Sequence, residues 1–143
     1  MAAIVIDANL AIALIVPLPY SELASTRMRD WIAAGVQMLA PALWAYEVAS
    51  GLRKAVVLKA IPAAQASAGL QALDRLSIEL VAPTLDLHHN ALAWAARLGQ
   101  KVAYDAAYVA LAEQRRAELW MADRSLAQKA RAAGATWVRY LIE

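Results

Sequence analysis

The sequence contains no cysteine and only two histidines, at the adjacent positions His88 and His89. Without cysteine, the protein cannot form disulfide bonds, thiolate zinc sites or thiol nucleophiles. Adjacent side chains on a helix point in different directions, so the two histidines make a poor joint metal ligand and fit solvated or capping positions better. Any metal must therefore be held by oxygen or by a single imidazole.

Long hydrophobic runs are also missing, although hydrophobic residues make up 62% of the chain and charged residues only 18%. The longest uncharged stretches, residues 8–21 and 31–46, are both interrupted by proline. Each falls short of the ~20 unbroken apolar residues that a membrane-spanning helix needs. The first six residues carry no basic side chain, unlike a secretory signal. We therefore expect a cytoplasmic protein that does not bind membranes.

The length of 143 residues suits one domain with one sizeable core, and no repeat or long linker divides residues 1–143. The net charge does not identify a class of binding partner, because 14 basic and 12 acidic residues leave only +2. A mildly basic chain tolerates a polyanionic partner without indicating one.

Short apolar runs alternate with helical segments along the chain. Strands are expected at residues 2–6, 36–40, 78–82, 119–122 and 136–141, and helices at residues 9–16, 21–34, 41–59, 62–76, 84–98, 103–116 and 124–133. Ser21 is the expected N-cap of the second helix, and Pro41 the first residue of the third. Trp44, Trp94 and Trp120 are expected in the core. This alternation predicts an α/β fold, a three-layer α/β/α sandwich with a mostly parallel central sheet.

Three aspartates occupy positions where strands end or helices begin. Asp7 and Asp123 lie between a strand and a helix, where open α/β sheets form their ligand sites, and Asp105 lies in the first turn of its helix. Each also has a purely structural explanation. An aspartate N-cap stabilises a helix by about 1 kcal/mol, and a carboxylate in the first turn complements the helix dipole.

Glu47 is harder to explain by structure alone. Its helix, PALWAYEVASGLRKAV, flanks it with Leu43, Trp44, Ser50 and Gly51 on one face. The nearest cation on a similar side is Lys54, two turns away and beyond the favoured (i, i+4) spacing. A half-exposed position at the rim of the core is the remaining structural alternative.

Considered together, the four acids predict a metal site. Carboxylates within ~4 Å of one another repel by roughly 4 kcal/mol per pair at an effective dielectric constant near 20. They cannot all stay ionised at neutral pH without a cation. Oxygen ligands select hard ions, Mg²⁺ or Mn²⁺, and such a site suits phosphoryl chemistry because the metal can acidify an attacking water.

The acids lie in four sequence blocks. IVIDAN carries Asp7 and Asn9, PALWAYEVASGL carries Glu47, YDAAYVALAE carries Asp105 and MADRSL carries Asp123. In these blocks and their order, the chain resembles PIN-domain proteins, specifically the VapC-type toxin ribonucleases of bacterial toxin–antitoxin pairs. The resemblance covers essentially the whole chain.

This resemblance implies a metal-dependent endoribonuclease that hydrolyses RNA phosphodiester bonds with a metal-activated water. The four acids would bind Mg²⁺ or Mn²⁺ directly or through water, and Asn9 would orient Asp7 or a water on the metal. It also implies a homodimer and a small antitoxin that covers the active site. At Met121 the family commonly has threonine or serine, so we expect altered hydrogen bonding around the metal but retained activity.

Several basic side chains are candidates for holding RNA phosphates, although a solvated surface charge is the simpler explanation for each one taken singly. They are Arg53, Lys54, Arg97, Lys101, Arg115, Arg116 and Arg124. Lys101 and Arg124 lie closest in sequence to the acids. Tyr104 and Tyr108 could stack on bases, but aromatics at helical spacing among alanine and leucine are more typical of a core.

Three other functions fit parts of the pattern. A non-toxin PIN nuclease of RNA processing would use the same acids. A phosphatase of the aspartyl-phosphate type also begins with a strand ending in Asp, but it normally has a second Asp where this chain has Asn9. A non-catalytic interaction module would use the acids only as helix caps.

Overall fold

The computed structural model describes residues 2–142 and contains a five-stranded sheet in the order β3-β2-β1-β4-β5. Its strands are β1 (Ala3–Ile6), β2 (Gln37–Pro41), β3 (Glu79–Val81), β4 (Glu118–Met121) and β5 (Val138–Tyr140). Every pair of neighbouring strands is parallel. The central strands β1 and β2 are buried along most of their length and therefore need apolar side chains on both faces, which explains their continuous apolar runs. The edge strand β3 is largely exposed.

Seven helices of the described part of the chain connect and cover the strands. They are α1 (Ala8–Ile12), α2 (Ser21–Ala33), α3 (Leu43–Val57), α4 (Ala63–Asp74), α5 (Leu85–Arg97), α6 (Tyr104–Arg115) and α7 (Arg124–Ala132). Parallel crossovers are right-handed as a rule, and with this strand order the rule assigns α1 to α4 to one face of the sheet and α5 to α7 to the other. The contacts of α3 with α1 and α4, and of α5 with α6, agree with this arrangement. The prediction of a three-layer α/β/α sandwich is confirmed, and the sheet is wholly parallel within residues 2–142.

All twelve predicted elements occur in the predicted order, but some boundaries were wrong. Helix α1 ends at Ile12 instead of residue 16, and turns lead from it to Pro17. Pro41 is the last residue of β2 and not the first of α3, because the next backbone N–H, on Ala42, still donates to the Val81 carbonyl at 3.0 Å. The strand pairing therefore continues past the proline.

Ser21 is the first residue of α2 and does not act as its N-cap. Its hydroxyl donates to the Val16 carbonyl at 3.0 Å and accepts from the Leu18 N–H at 2.8 Å. The side chain therefore stabilises the loop before the helix and not the free N–H groups at the helix start. The single-domain prediction stays a prediction, and its end residues, Met1 and Glu143, lie outside the described residues.

The core surrounds the central strands. Val5 and Ile6 of β1 and Leu119 of β4 are completely buried. Trp44 and Trp94 are buried as predicted, at 7% and 3% exposure, whereas Trp120 is only partly buried and packs edge-on against Trp31. No helix within residues 2–142 is long and apolar enough to cross a membrane.

The central strands provide a test of the fold. Leu39 of β2 is 1% exposed, so Leu39→Ala should lower the free energy of unfolding by about 2–5 kcal/mol through lost burial and a new cavity. Leu58, at the end of α3, is 71% exposed, and Leu58→Ala should change the free energy of unfolding by less than about 0.5 kcal/mol. Urea denaturation of both variants measures the difference, and equal effects would contradict this core.

Candidate active site

A pocket of about 350 Å³ opens at the carboxyl end of β1, between α1, α3 and α6. Parallel strands end at the same edge of the sheet, so the loops that follow them converge there. Its lining residues are Asp7, Ala8, Asn9, Ile12, Glu47, Ser50, Gly51, Lys54, Asp105, Tyr108, Met121 and Leu126. Three of the four predicted acids and Asn9 therefore share one pocket.

Asp7 caps α1 and also lines the pocket. Its Oδ1 accepts from the Leu10 N–H at 2.9 Å, and its Oδ2 accepts from the Ala122 N–H at 3.3 Å. The N-cap explanation considered for Asp7 is therefore correct, but it does not exclude a functional role. The second bond connects the end of β1 to the loop after β4 and holds the carboxylate at the pocket wall.

Glu47 has a partner that the sequence analysis missed. The hydroxyl of Tyr108 donates to Glu47 Oε1 at 2.6 Å, and Tyr108 is only 4% exposed. The expectation that Tyr108 belongs to the core is confirmed, but its hydroxyl reaches the pocket. Tyr108 lies three residues after Asp105 and therefore on a similar face of α6, a spacing that could have revealed it.

Asp105 lies in the first turn of α6, as predicted, and its side chain is exposed. The Nε2 of Gln100 donates to Asp105 Oδ2 at 3.1 Å. Gln100 precedes the helix in a loop, and no sequence pattern pointed to it. This bond orients a carboxylate that solvent would otherwise leave free to rotate.

Asp123 differs from the other three acids. It is the N-cap of α7, where its Oδ1 accepts from the Leu126 N–H at 3.0 Å, and it is exposed. It is not among the residues that line the pocket in the described part of the chain. It nevertheless follows Ala122 directly, the residue whose N–H binds Asp7, so Asp123 lies at the edge of the site.

Asn9 and Met121 complete the polar and apolar sides of the pocket. Asn9 is exposed and lines the pocket, but no side-chain hydrogen bond joins it to Asp7 within residues 2–142. Met121, at the end of β4, is 1% exposed and is one of the residues that line the pocket. This position therefore offers no hydroxyl group to the pocket.

Burial of Asp7 and Glu47 makes the pocket unfavourable for uncompensated negative charge. The pKa of Asp7 rises from 3.8 to about 7, chiefly because burial penalises the ionised form, and the charges of Glu47 and Asp105 add to this effect. The N–H groups of Leu10 and Ala122 oppose the rise. Burial also raises the pKa of Glu47, against the lowering effect of the Tyr108 hydrogen bond. The pocket would therefore be stabilised by a cation.

The donor chemistry fits a hard divalent ion. Carboxylate oxygens from β1, α3 and α6 and an amide side chain share the pocket, and these are ligands that Mg²⁺ and Mn²⁺ accept. Within residues 2–142, however, no three acidic or histidine side chains stand close enough together to form a ready metal cluster. A bound ion would have to draw the carboxylates together.

The basic residues are distributed differently from the sequence expectation. Lys54 is the one basic residue among the described residues lining the pocket, whereas Lys101 and Arg124, which are closer in sequence to the acids, do not line it. Arg97 stacks over the Trp94 ring at 3.9 Å and donates to the Ala133 carbonyl. Arg115 forms an ion pair with Glu79 at 3.7 Å.

The other aromatic and histidine candidates lie outside the pocket. Tyr104 is 61% exposed, so its expected place in the core was wrong. Tyr104 and His88 line a separate apolar groove of about 620 Å³ between α5, α6 and the start of α3. The exposed position of both His88 and His89 agrees with the solvated role expected for them.

Three solved structures share this architecture. The chain has 20% identity and a TM-score of 0.68 to a toxin–antitoxin complex from Klebsiella pneumoniae, covering 99% of this chain and 98% of that one. It has 26% identity and a TM-score of 0.67 to PAE2754 from Pyrobaculum aerophilum, with 90% and 79% covered. VapBC2 from Rickettsia felis, bound to a DNA fragment from the promoter, has 12% identity and a TM-score of 0.70, with 96% and 98% covered.

Comparison with curated proteins gives no significant match. The family model described as the PIN domain, in contrast, matches residues 4–132. This match includes all four sequence blocks that carry the acids and most of the α/β/α sandwich. The chain therefore belongs to the PIN domain family.

Proposed function

We propose that this protein is a Mg²⁺- or Mn²⁺-dependent endoribonuclease that acts as the toxin of a toxin–antitoxin pair. The observation that carries the proposal is the convergence of Asp7, Glu47 and Asp105, from three distant parts of a PIN-family chain, on one pocket. PIN nucleases generally use divalent metals, and these three side chains offer a suitable set of oxygen ligands.

Each acid has a distinct position in the proposed site. Asp7, Glu47 and Asp105 would hold the ion, and Asp123 would reach it through water from the pocket edge. When bound, the ion supplies a Lewis acid that neutralises phosphate charge and lowers the pKa of a nearby water. Asn9 would orient Asp7 or that water, and the apolar surface of Met121 would limit solvent at the base of the pocket.

Lys54 is the proposed contact for the RNA backbone. It lies two turns after Glu47 on α3, and its side chain lines the pocket beside the acids. A lysine ammonium binds phosphate as a compact point charge and tolerates different backbone geometries. Its exposed position would allow it to hold a phosphate next to the carboxylates without neutralising them in the free protein.

The catalytic proposal predicts loss of RNA cleavage when one carboxylate is removed. Asp105→Asn should lower the cleavage rate by at least about 100-fold, because a direct ligand should matter no less than outer partners of a metal site. Cleavage would be measured on a panel of structured RNAs with Mg²⁺, with Mn²⁺ and with EDTA.

Asp86→Asn is the matched control, since Asp86 also lies in the first turn of a helix, α5, but does not line the pocket. Its activity should equal that of the unmodified protein. Cleavage that survives both EDTA and Asp105→Asn would reject the metal mechanism.

The raised pKa of Asp7 predicts how stability depends on pH without metal. The folded protein holds the Asp7 proton more tightly than the unfolded chain, so stability should fall as pH rises from 3.8 to about 7 and stay lower above that range. Asp7→Asn keeps a good N-cap without the charge. It should therefore be more stable than the unmodified protein above about pH 8, by at most about 4 kcal/mol, and should lose this advantage near about pH 4.

Thermal denaturation across this pH range checks the prediction, and calorimetric titration with Mn²⁺ tests its link to function. The unmodified protein should bind Mn²⁺ saturably and Asp7→Asn should not. If neither protein binds Mn²⁺, the acids serve as helix caps and a non-catalytic interaction module becomes the better description.

The toxin proposal concerns the partner. Two of the similar structures are a toxin–antitoxin complex and a VapBC2 assembly with promoter DNA. By analogy, we propose that this chain forms a homodimer and that a small antitoxin covers the pocket, with a basic residue among the acids. Such a residue would supply the positive charge that the raised pKa of Asp7 indicates is missing.

Expression of the protein alone should stop bacterial growth, and co-expression with a short protein encoded next to it should restore growth and yield a stable complex. Asp105→Asn expressed alone should be harmless. Active RNA cleavage combined with normal growth and no complex would instead favour a non-toxin nuclease of RNA processing.

A further inference from the structure

Tyr108 makes a contact that the proposed mechanism does not yet use. Its ring is buried in α6, but its hydroxyl lies 2.6 Å from Glu47 Oε1, across 61 residues of sequence. This distance is typical of a hydroxyl bound to an ionised carboxylate. Because an ionised carboxylate has no hydrogen to donate, the phenol must be the donor.

The environment of Glu47 offers little else to hold its side chain. Glu47 is partly buried on α3, and within residues 2–142 its carboxylate has no ion pair and no hydrogen bond except the one from Tyr108. A free glutamate side chain loses conformational entropy when it is fixed in one rotamer. A phenol held rigidly by the core can offset that cost before any ligand arrives.

The position of Tyr108 explains how it could remain rigid. Its neighbours Ala106, Val109 and Ala110 on α6 are all buried at 0–1% exposure, and this helix packs across the central strands. The hydroxyl is thus fixed relative to β1, whose carboxyl end carries Asp7. Tyr108 therefore links Glu47, on α3, to the packed core that also positions Asp7, directly after β1.

We propose that Tyr108 is a positioning residue, whose hydroxyl holds one oxygen of Glu47 so that the carboxylate faces the pocket ready for a divalent cation. This inference rests on the proposed function, because it assigns Tyr108 a part in the same site. A role in packing alone would need only the aromatic ring. The hydroxyl is therefore the group to test.

Tyr108→Phe removes that hydroxyl and keeps the ring. In the metal-free protein, side-chain NMR of Glu47 should show a clear loss of order. In calorimetric titrations, Mn²⁺ should bind about 10–100-fold more weakly, the loss typical of removing an outer partner of a metal ligand. The RNA cleavage rate at saturating Mn²⁺ should fall much less than the affinity does.

Tyr104→Phe is the matched control, since Tyr104 lies on the same helix, is 61% exposed and lines the separate apolar groove. It should leave Glu47 order and Mn²⁺ affinity unchanged. A double-mutant cycle with Glu47→Gln adds a second control. In the Glu47→Gln protein, Tyr108→Phe should not lower Mn²⁺ affinity any further, because the carboxylate that the hydroxyl positions is already absent.

The outcomes separate this inference from the proposed function. If the unmodified protein binds Mn²⁺ and cleaves RNA but Tyr108→Phe matches it in Glu47 order and in affinity, the positioning role is overturned and the nuclease stands. Failure of the unmodified protein to bind Mn²⁺ overturns the proposed function and, with it, the role of Tyr108 in metal binding. If Tyr108→Phe lowers Mn²⁺ affinity by the same factor whether residue 47 is Glu or has been changed by Glu47→Gln, the loss comes from a packing defect and the inference is also overturned.

Discussion

The two hydrogen bonds accepted by Asp7 are the interaction on which the rest of the site depends. One starts α1 and the other fixes the loop after β4, so a single carboxylate joins the centre of the sheet to the walls of the pocket. The same side chain is disfavoured as an anion, because burial and two neighbouring acids raise its pKa to about 7. Ionising Asp7 in the folded protein therefore costs free energy, and groups with strongly shifted pKa values are common at functional sites.

Capping and catalysis are often treated as competing explanations for an aspartate at a helix start. Here Asp7 accepts the cap bond and also lines the pocket, whereas Asp123 has the cap bond but lies outside the pocket lining. The difference comes from the neighbouring strands. Asp7 follows the central strand β1, which has helices on both sides of its carboxyl end, while Asp123 follows β4 and turns directly into an exposed part of α7.

Much of the fold could be predicted because local signals agree with the tertiary structure. Branched apolar runs indicated the strands, and prolines and glycines indicated the breaks between elements. The position of Asp7 and Asp123 at strand ends predicted that both would lie at the site, and of these two only Asp7 lines the pocket. The missed features depend on contacts between distant residues. The Tyr108 bond to Glu47 and the Gln100 bond to Asp105 arise from helix placement, and the loop contacts of Ser21 override its preference for a capping role.

The bond between Asp7 and Ala122 also has a consequence for how the pocket can form. The N–H that holds the second oxygen of Asp7 lies 115 residues after it, and Met121 and Leu126, from the same part of the chain, supply one wall of the pocket. Domains generally fold as units, so a chain cut before β4 lacks that wall although Asp7, Glu47 and Asp105 are all present. The three acids alone therefore do not make the site, which requires the completed sheet.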